Sequence, residues 1–346
     1  MADKTKGQTL REELFYVKKN AFELKTPEEL AQAKEYAAGY TAWLDKSKTE
    51  RECVNASIEL LEANGYTEYK LGDAVKAGDK IYLNNRGKGL FAIKVGTEDI
   101  ENGVYIMASH IDSPRLDLKQ HPLYENDGFG YFKTHYYGGI RKYQWATIPL
   151  AIHGVVTKAD GTNVDIRIGD EPGDPVFCIT DLLPHLAKDQ NSRPLGSAFT
   201  GEGLNVVLAT SPFIEEDGKV TPASDKVKLN VMIMLNEKYG ITESDFMSAE
   251  ISIVPAQNSA DVGMDRWLIG SYGHDDRVCA YPSLTALFEN ADTEKTCMAV
   301  LADKEETGSD GISGMQCCLL FDIIDELAKN LGGNTNVVRM NSKCLS

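Results

Sequence analysis

An α/β fold interrupted by a long β-rich segment is predicted by three observations. Helical runs with capping signals open the chain, buried-strand runs at 103–109 and 296–301 lie among helical stretches toward its two ends, and between about 114 and 268 the texture changes to short β-rich runs. Gly, Pro and Asp turns separate those runs. The organisation that follows is an α/β domain in two parts, 1–113 and 269–346, with an inserted β-rich domain at 114–268. A chain of 346 residues exceeds one core of ordinary size, which fits that division.

Thr26-Pro27-Glu28-Glu29 joins an N-cap, a proline at the first helical position and a capping-box Glu, after which Leu30, Ala33, Ala37, Tyr40 and Leu44 recur on one face. Thr49-Glu50-Arg51-Glu52 repeats the box, with Val54, Ile58 and Leu61 following and a stop at Gly65. Strands at 80–83 and 90–95 flank the turn-rich Asn84-Asn85-Arg86-Gly87-Lys88-Gly89, a hairpin signal, and 103–109 is a buried strand ending at His110. In the insertion, runs at 131–137, 148–156, 164–168, 227–235 and 250–254 read as β. Helix, strand and helix return at 278–290, 296–301 and 311–331, and 336–340 reads as a last strand whose partners would come later in the chain.

Composition excludes some classes. With 36 Lys and Arg against 52 Asp and Glu the formal charge is −16, a field that repels phosphate backbones and anionic membranes, so neither nucleic acid nor a membrane is an expected partner. The N-terminus has no apolar stretch after its charges, and no window approaches eighteen apolar residues, so a soluble, cytoplasmic protein is expected. Seven scattered cysteines without a C-x-x-C pair fit a reducing compartment and mostly buried thiols, with Cys317 and Cys318 in helix core.

The chemistry concentrates in three short segments. Asp303-Lys304-Glu305-Glu306 closes the apolar run 297–302 and puts two adjacent carboxylates at the mouth of a buried strand, a costly arrangement unless something positive sits between them. His110-Ile111-Asp112 offers an imidazole with a carboxylate two residues on, on the same side of an extended segment, subject to the bend before Pro114. Gly273-His274-Asp275-Asp276-Arg277 precedes a helix, where Asp275 is either an N-cap or a bridge between two cations about 3.5–4 Å apart, and His274 is a competing ligand. Each segment alone has an ordinary reading: a satisfied strand-end histidine, a helix cap, a solvated glutamate pair. Together, imidazole and carboxylates suit zinc, cobalt or manganese, with one glutamate of the pair on the metal and its neighbour a general base toward water.

These segments, namely Met107-Ala108-Ser109-His110-Ile111-Asp112-Ser113-Pro114, Tyr137-Gly138-Gly139, Ser248-Ala249-Glu250 through Val254-Pro255, Tyr272-Gly273-His274-Asp275-Asp276-Arg277 and Asp303-Lys304-Glu305-Glu306-Thr307-Gly308-Ser309, resemble the aspartyl aminopeptidase family of dinuclear zinc aminopeptidases, in its bacterial branch. The resemblance runs from about residue 25 to the last residue. It implies a phosphorylase/hydrolase-like three-layer α/β catalytic domain, an inserted β-domain used in assembly, two divalent ions and a self-compartmentalised homo-dodecamer acting on peptides. By position it makes His110 and Glu306 metal ligands, Asp275 the bridge, Asp112 the group that orients His110, and Glu305 the base that takes a proton from the attacking water and returns it to the leaving amine. Pro184-His185-Leu186-Ala187 resembles the segment that presents a histidine to a neighbouring subunit's substrate.

Two departures from the family pattern stand out. His274-Asp275-Asp276 replaces Leu-Asp-Asn, and the chain stops at Cys344-Leu345-Ser346 before an aspartate and a histidine that the family supplies as further ligands. The expectation is therefore a C-terminally truncated chain, incomplete in its second α/β part and inactive by itself. The rival readings are a dinuclear carboxypeptidase or deacylase on a similar core, and a non-catalytic fragment or scaffold subunit of the same fold. Peptides blocked at either end separate the first rival, and metal content separates the second.

Overall fold

Capping chemistry starts the helices where the sequence places them. The computed structural model describes residues 4–215, 224–289, 293–331 and 333, and the chain divides into two units, residues 1–42 and 43–346. The first unit holds α1 (Lys6–Leu14), opened by a Thr5–Gln8 capping box, α2 (Ala21–Leu24), capped by Asn20, and most of α3 (Pro27–Asp45). At the head of α3 the Glu29 amide donates to Thr26 Oγ1 at 3.2 Å and the Thr26 amide to Glu29 Oε2 at 2.8 Å, the reciprocal pair expected from the sequence.

The second unit continues with α4 (Glu50–Ala63), headed by the Thr49–Glu52 box, then β1 (Thr67–Glu68), β2 (Lys80–Asn85), β3 (Gly89–Lys94) and β4 (Tyr105–His110). There follow β5 (Arg115–Asn126), β6 (Phe129–Tyr137), β7 (Leu150–Thr157), β8 (Asn163–Ile168), α5 (Lys188–Asn191), α6 (Leu195–Ala198) and β9 (Val206–Ala209). Next come α7 (Lys226–Tyr239), β10 (Ala249–Pro255), β11 (Ala260–Val262), β12 (Leu268–Gly270), α8 (His274–Glu289), β13 (Cys297–Ala302) and α9 (Leu319–Asn330).

One sheet has the order β1-β2-β3-β13-β4, in which β13 runs antiparallel to β3 and parallel to β4. All six residues of β13 are buried, as a strand covered on both faces requires. Ile81, Leu83, Phe91, Ile93, Met298 and Val300 meet Ile323, Ile324, Leu327 and Ala328 of α9. Their alternates Leu90, Ala92, Ala299 and Leu301 are buried on the opposite face, where α4 and α8 touch the sheet. Helices, sheet and helix make three layers. The other large sheet, order β8-β7-β10-β5-β6-β9, is antiparallel throughout and drawn wholly from residues 115–255, with Leu116, Phe132, Ile152 and Ile253 in its core.

Several local expectations are corrected. Residues 227–235 are helical, inside α7, because Val227 and Val231 are the pair that packs, at a helical spacing of four, and Glu125 accepts from the amides of Val227 and Lys228 at 2.8 and 3.1 Å. The final described helix starts at Leu319, so Cys317 and Cys318 precede it, half-buried and exposed respectively, and are not helix core. Cys53 and Cys297 are buried but Cys279 is exposed, so buried thiols are not the rule among the described residues. The expected strand at 336–340 and Cys344 lie outside the described residues.

Candidate metal centre

Parallel pairing of β4 and β13 brings the two chemistry-bearing segments to one place. His110 pairs with Ala302, and the Ile111 amide still donates to the Ala302 carbonyl at 2.9 Å, so both chains leave the sheet together at its carboxyl edge. That edge is where α/β sheets present their sites. After Asp303 the backbone turns through Lys304, at φ 70°, into a short 3-10 turn over Glu305–Thr307, and the Ser309 amide closes the loop onto the Lys304 carbonyl at 2.7 Å.

Asp112 is the hub. Fully buried, it accepts from the Glu305 amide at Oδ1 and the Glu306 amide at Oδ2, both at 3.2 Å, and from the Tyr137 hydroxyl at Oδ2, at 2.7 Å. His110 Nδ1 lies 2.9 Å from the Asp112 carbonyl oxygen and 3.4 Å from Oδ1. Asp112 therefore holds the imidazole chiefly through its carbonyl oxygen, with Oδ1 beside it at 3.4 Å, and fixes the backbone of the glutamate pair through its carboxylate. Burial by itself raises the Asp112 pKa, yet the bonds from His110 and Tyr137 outweigh it and hold the group below its ordinary value.

With Nδ1 held, Nε2 faces the opening. It sits 3.3 Å from Asp275 Oδ1 and 3.6 Å from Glu305 Oε2, and ligand atoms of His110, Glu305 and Glu306 all lie within 4.8 Å of one another. Burial lowers the His110 pKa, but Asp112 and Glu305 reverse that and push it up to about 9. Burial, with the charges of Asp112 and Glu305, raises Glu306 despite the offset from His110. Carboxylates that resist sharing a site and an imidazole that gathers a proton describe the same negative field, and a divalent cation relieves both. One oriented imidazole and three carboxylates form a donor set that fits zinc, cobalt or manganese.

The third segment arrives from the start of α8. Asp275 and Asp276 have non-helical backbone angles, so the helix proper begins after them. Ser113 donates to the Asp275 carbonyl at 3.1 Å, which leaves the Asp275 side chain, 89% exposed, directed at His110 and not at the helix amides. Arg277 is buried and donates to the Ile111 carbonyl at 3.0 Å, tying the segment to the end of β4. It needs the space over Gly273, where a Cβ would collide with Arg277 Nη1 on a backbone at φ 83°.

The structure thus brings together His110, Asp112, Asp275, Glu305 and Glu306. His274 turns Nε2 toward the Ile269 carbonyl at 3.1 Å and stands outside the cluster. His185 is exposed in a turn between Pro184 and Leu186 and is not among the residues that could hold a metal ion together. The sequence assigns no role to Tyr137, whose hydroxyl the structure places on Asp112, or to Gly138, against which Glu306 lies. The available signal was Tyr137-Gly138-Gly139 at the end of an alternating strand, glycines where close approach is needed.

The structure is similar to the crystal structure of an M18-family aminopeptidase from Thermotoga maritima, with a TM-score of 0.86 and 40% identity over 95% of this chain and 70% of that one. It is also similar to the crystal structure of aminopeptidase I from Clostridium acetobutylicum, with a TM-score of 0.84 and 40% identity over 96% of this chain and 72% of that one. In sequence, the chain is 46% identical over 302 residues to a C. acetobutylicum protein named "Probable M18 family aminopeptidase 1", covering 86% of this chain and 64% of that relative. A T. maritima protein of the same name is 43% identical over 317 residues, covering 91% of this chain and 67% of the relative. The chain accordingly spans about two thirds of the length of these curated relatives. The model of the Peptidase M18 family, described as aminopeptidase I zinc metalloprotease, matches residues 43–346, and the chain belongs to that family.

Proposed function

We propose that the site is a zinc centre that hydrolyses the first peptide bond of peptides with a free N-terminus. The observation that carries the reading is His110 Nε2 facing Asp275 and Glu305, with Glu306 in the same cluster, at the carboxyl ends of two parallel strands. The family's description as a zinc metalloprotease and the relatives' names support it. His110 and Glu306 would hold metal, Asp275 would share its two oxygens between two ions, and Asp112 would keep His110 turned to the cluster; cobalt or manganese would suit the same donors. When bound, zinc supplies Lewis acidity, polarising the scissile carbonyl and making water a nucleophile near neutral pH.

The chain's own residues do the rest. Glu305, with 58% of its side chain exposed, takes the proton of the attacking water on its carboxylate and hands it to the leaving amine. Its backbone is fixed by Asp112, so the carboxylate swings from a rigid base. The substrate's free α-amino group would bind at one metal or at a nearby carboxylate, which restricts cleavage to chain ends.

In the wider protein, the two α/β parts at 1–113 and 269–346 carry the centre and 114–268 serves assembly. The S. cerevisiae mApe1 dodecamer shares the fold at a TM-score of 0.69 and 20% identity, which supports a homo-oligomer, a dodecamer in our reading, in which His185 reaches a neighbouring copy's substrate. No described helix is long and apolar enough to cross a membrane, and the net charge of −16 disfavours nucleic acid; the expected compartment is the cytoplasm. The test is a pair of matched peptides, one N-acetylated and one C-amidated, incubated with the zinc-loaded protein at its natural length. Cleavage of the amidated peptide alone supports an aminopeptidase; cleavage of the acetylated peptide alone points to a carboxypeptidase and overturns the reading.

A further inference from the structure

We propose that Tyr137, with Gly138 behind it, is a positioning residue of this centre, through which the six-stranded sheet sets the aim of His110 and Glu306. The inference rests on the reading of the site as a metal centre. β6 ends at Tyr137, which is 7% exposed and gives its hydroxyl to Asp112 Oδ2 at 2.7 Å. The same oxygen accepts from the Glu306 amide and its twin from the Glu305 amide. Asp112 is thereby pinned by donors from both sheets: the loop after β13 on one side, the end of β6 on the other.

The ring is held in place. The Arg115 guanidinium lies 4.0 Å and the Lys304 ammonium 5.3 Å from its centroid, and both cations come from segments that flank the centre. One residue on, Gly138 at φ 70° lies against Glu306, where a Cβ would stand 2.9 Å from Oε2 and 3.1 Å from the Glu306 Cβ. Two consecutive residues of β6 and its exit therefore touch two different parts of the cluster.

A hydroxyl bonded to an ionised carboxylate is among the stronger protein hydrogen bonds, and a carboxylate that orients a metal-binding histidine typically governs 10- to 100-fold in affinity, as an order of magnitude. Removing the hydroxyl frees the Asp112 carboxylate to pivot away from the Glu305 and Glu306 amides and from His110 Nδ1, which lies 3.4 Å from Oδ1, so the glutamate pair and the imidazole lose part of their support. A tyrosine of merely structural importance would lower stability and leave metal affinity alone.

The experiment compares Tyr137→Phe, Gly138→Ala and the control Tyr82→Phe in the protein at its natural length. The control deletes another hydroxyl-to-carboxylate bond, the 2.8 Å contact to Glu62, remote from the cluster. Zinc dissociation constants from competition with a chelating dye, and the visible spectrum of the cobalt(II) form, are read beside melting of the metal-free protein. Tyr137→Phe should weaken zinc about tenfold and change the cobalt spectrum, Gly138→Ala should weaken zinc, and Tyr82→Phe should do neither. Wild-type affinity and spectrum in Tyr137→Phe would overturn the inference whatever the melting temperature; if that variant does not fold, unchanged zinc affinity in Gly138→Ala overturns it instead. A wild-type protein that binds no zinc overturns the metal reading itself, and the inference with it.

Discussion

Glu305 and Glu306 are neighbours in sequence with different surroundings, and that difference fits the two roles proposed for them. Both amides bind Asp112, but Glu306 packs against Gly138 and is raised by burial, whereas Glu305 is more than half exposed. A half-buried carboxylate packed against Gly138 suits a ligand, and one open to water suits proton transfer. Glu305→Gln keeps the shape and removes the base, so activity should fall roughly 10²- to 10⁴-fold with bound metal retained; loss of metal together with activity would make Glu305 a ligand. Asp275→Ala removes the carboxylate 3.3 Å from His110 Nε2, and elemental analysis should show less bound metal, while unchanged metal content would return Asp275 to a role at the helix start. Gly273→Ala meets both a left-handed backbone and the Arg277 guanidinium. Its cost should be on the order of 1–3 kcal/mol or more, and a melting temperature equal to wild type would mean that Arg277 can leave its place freely.

At the level of elements, the head of α4 joins the three-layer part to the six-stranded sheet. Glu52 completes the capping box at Thr49 and also accepts from the fully buried His153 of β7, 2.7 Å away; His153 Nε2 lies 3.3 Å from Asp170, which Lys48 and Arg167 also face. Burial lowers the His153 pKa, but Asp170 and Glu52 raise it above its usual value. A group raised on folding contributes stability that is complete below about pH 6.5 and is lost as pH climbs through the raised pKa. Chemical unfolding should therefore show wild type losing stability above about pH 6.5 relative to His153→Gln, and parallel curves would contradict a charged His153. Such links were not legible in the sequence, because they depend on which strand meets which helix. The helix starts at Thr26 and Thr49 and the strands at β2, β3, β4 and β13 were legible, since capping boxes and apolar runs are local. β5 escaped notice although Arg115, Leu116, Asp117 and Leu118 alternate: a buried Arg115 becomes reasonable only beside Glu50 and Asp117, at 3.1 and 2.8 Å. α7 was misread because apolar side chains stand on more than one of its faces, and spacing of four was hidden among them.

For the whole molecule, His110, Asp275, Glu305 and Glu306 are legible as a candidate site because each lies at a strand end or helix start, where an α/β sheet gathers chemistry from distant segments. Tyr137 was not, because its contact with Asp112 exists only once the antiparallel sheet stands beside the parallel pair. Assembly is a separate expectation: light scattering of the protein at its natural length should give a mass of many subunits, and a stable monomer that retains full activity would remove assembly from the function. The most direct measurement is zinc content together with turnover of an unblocked peptide, in wild type and Glu305→Gln. Zinc bound in both, with turnover in wild type alone, is the expected result; a wild type that hydrolyses the peptide after its metal has been stripped would contradict a metal centre at His110, Asp275 and Glu306.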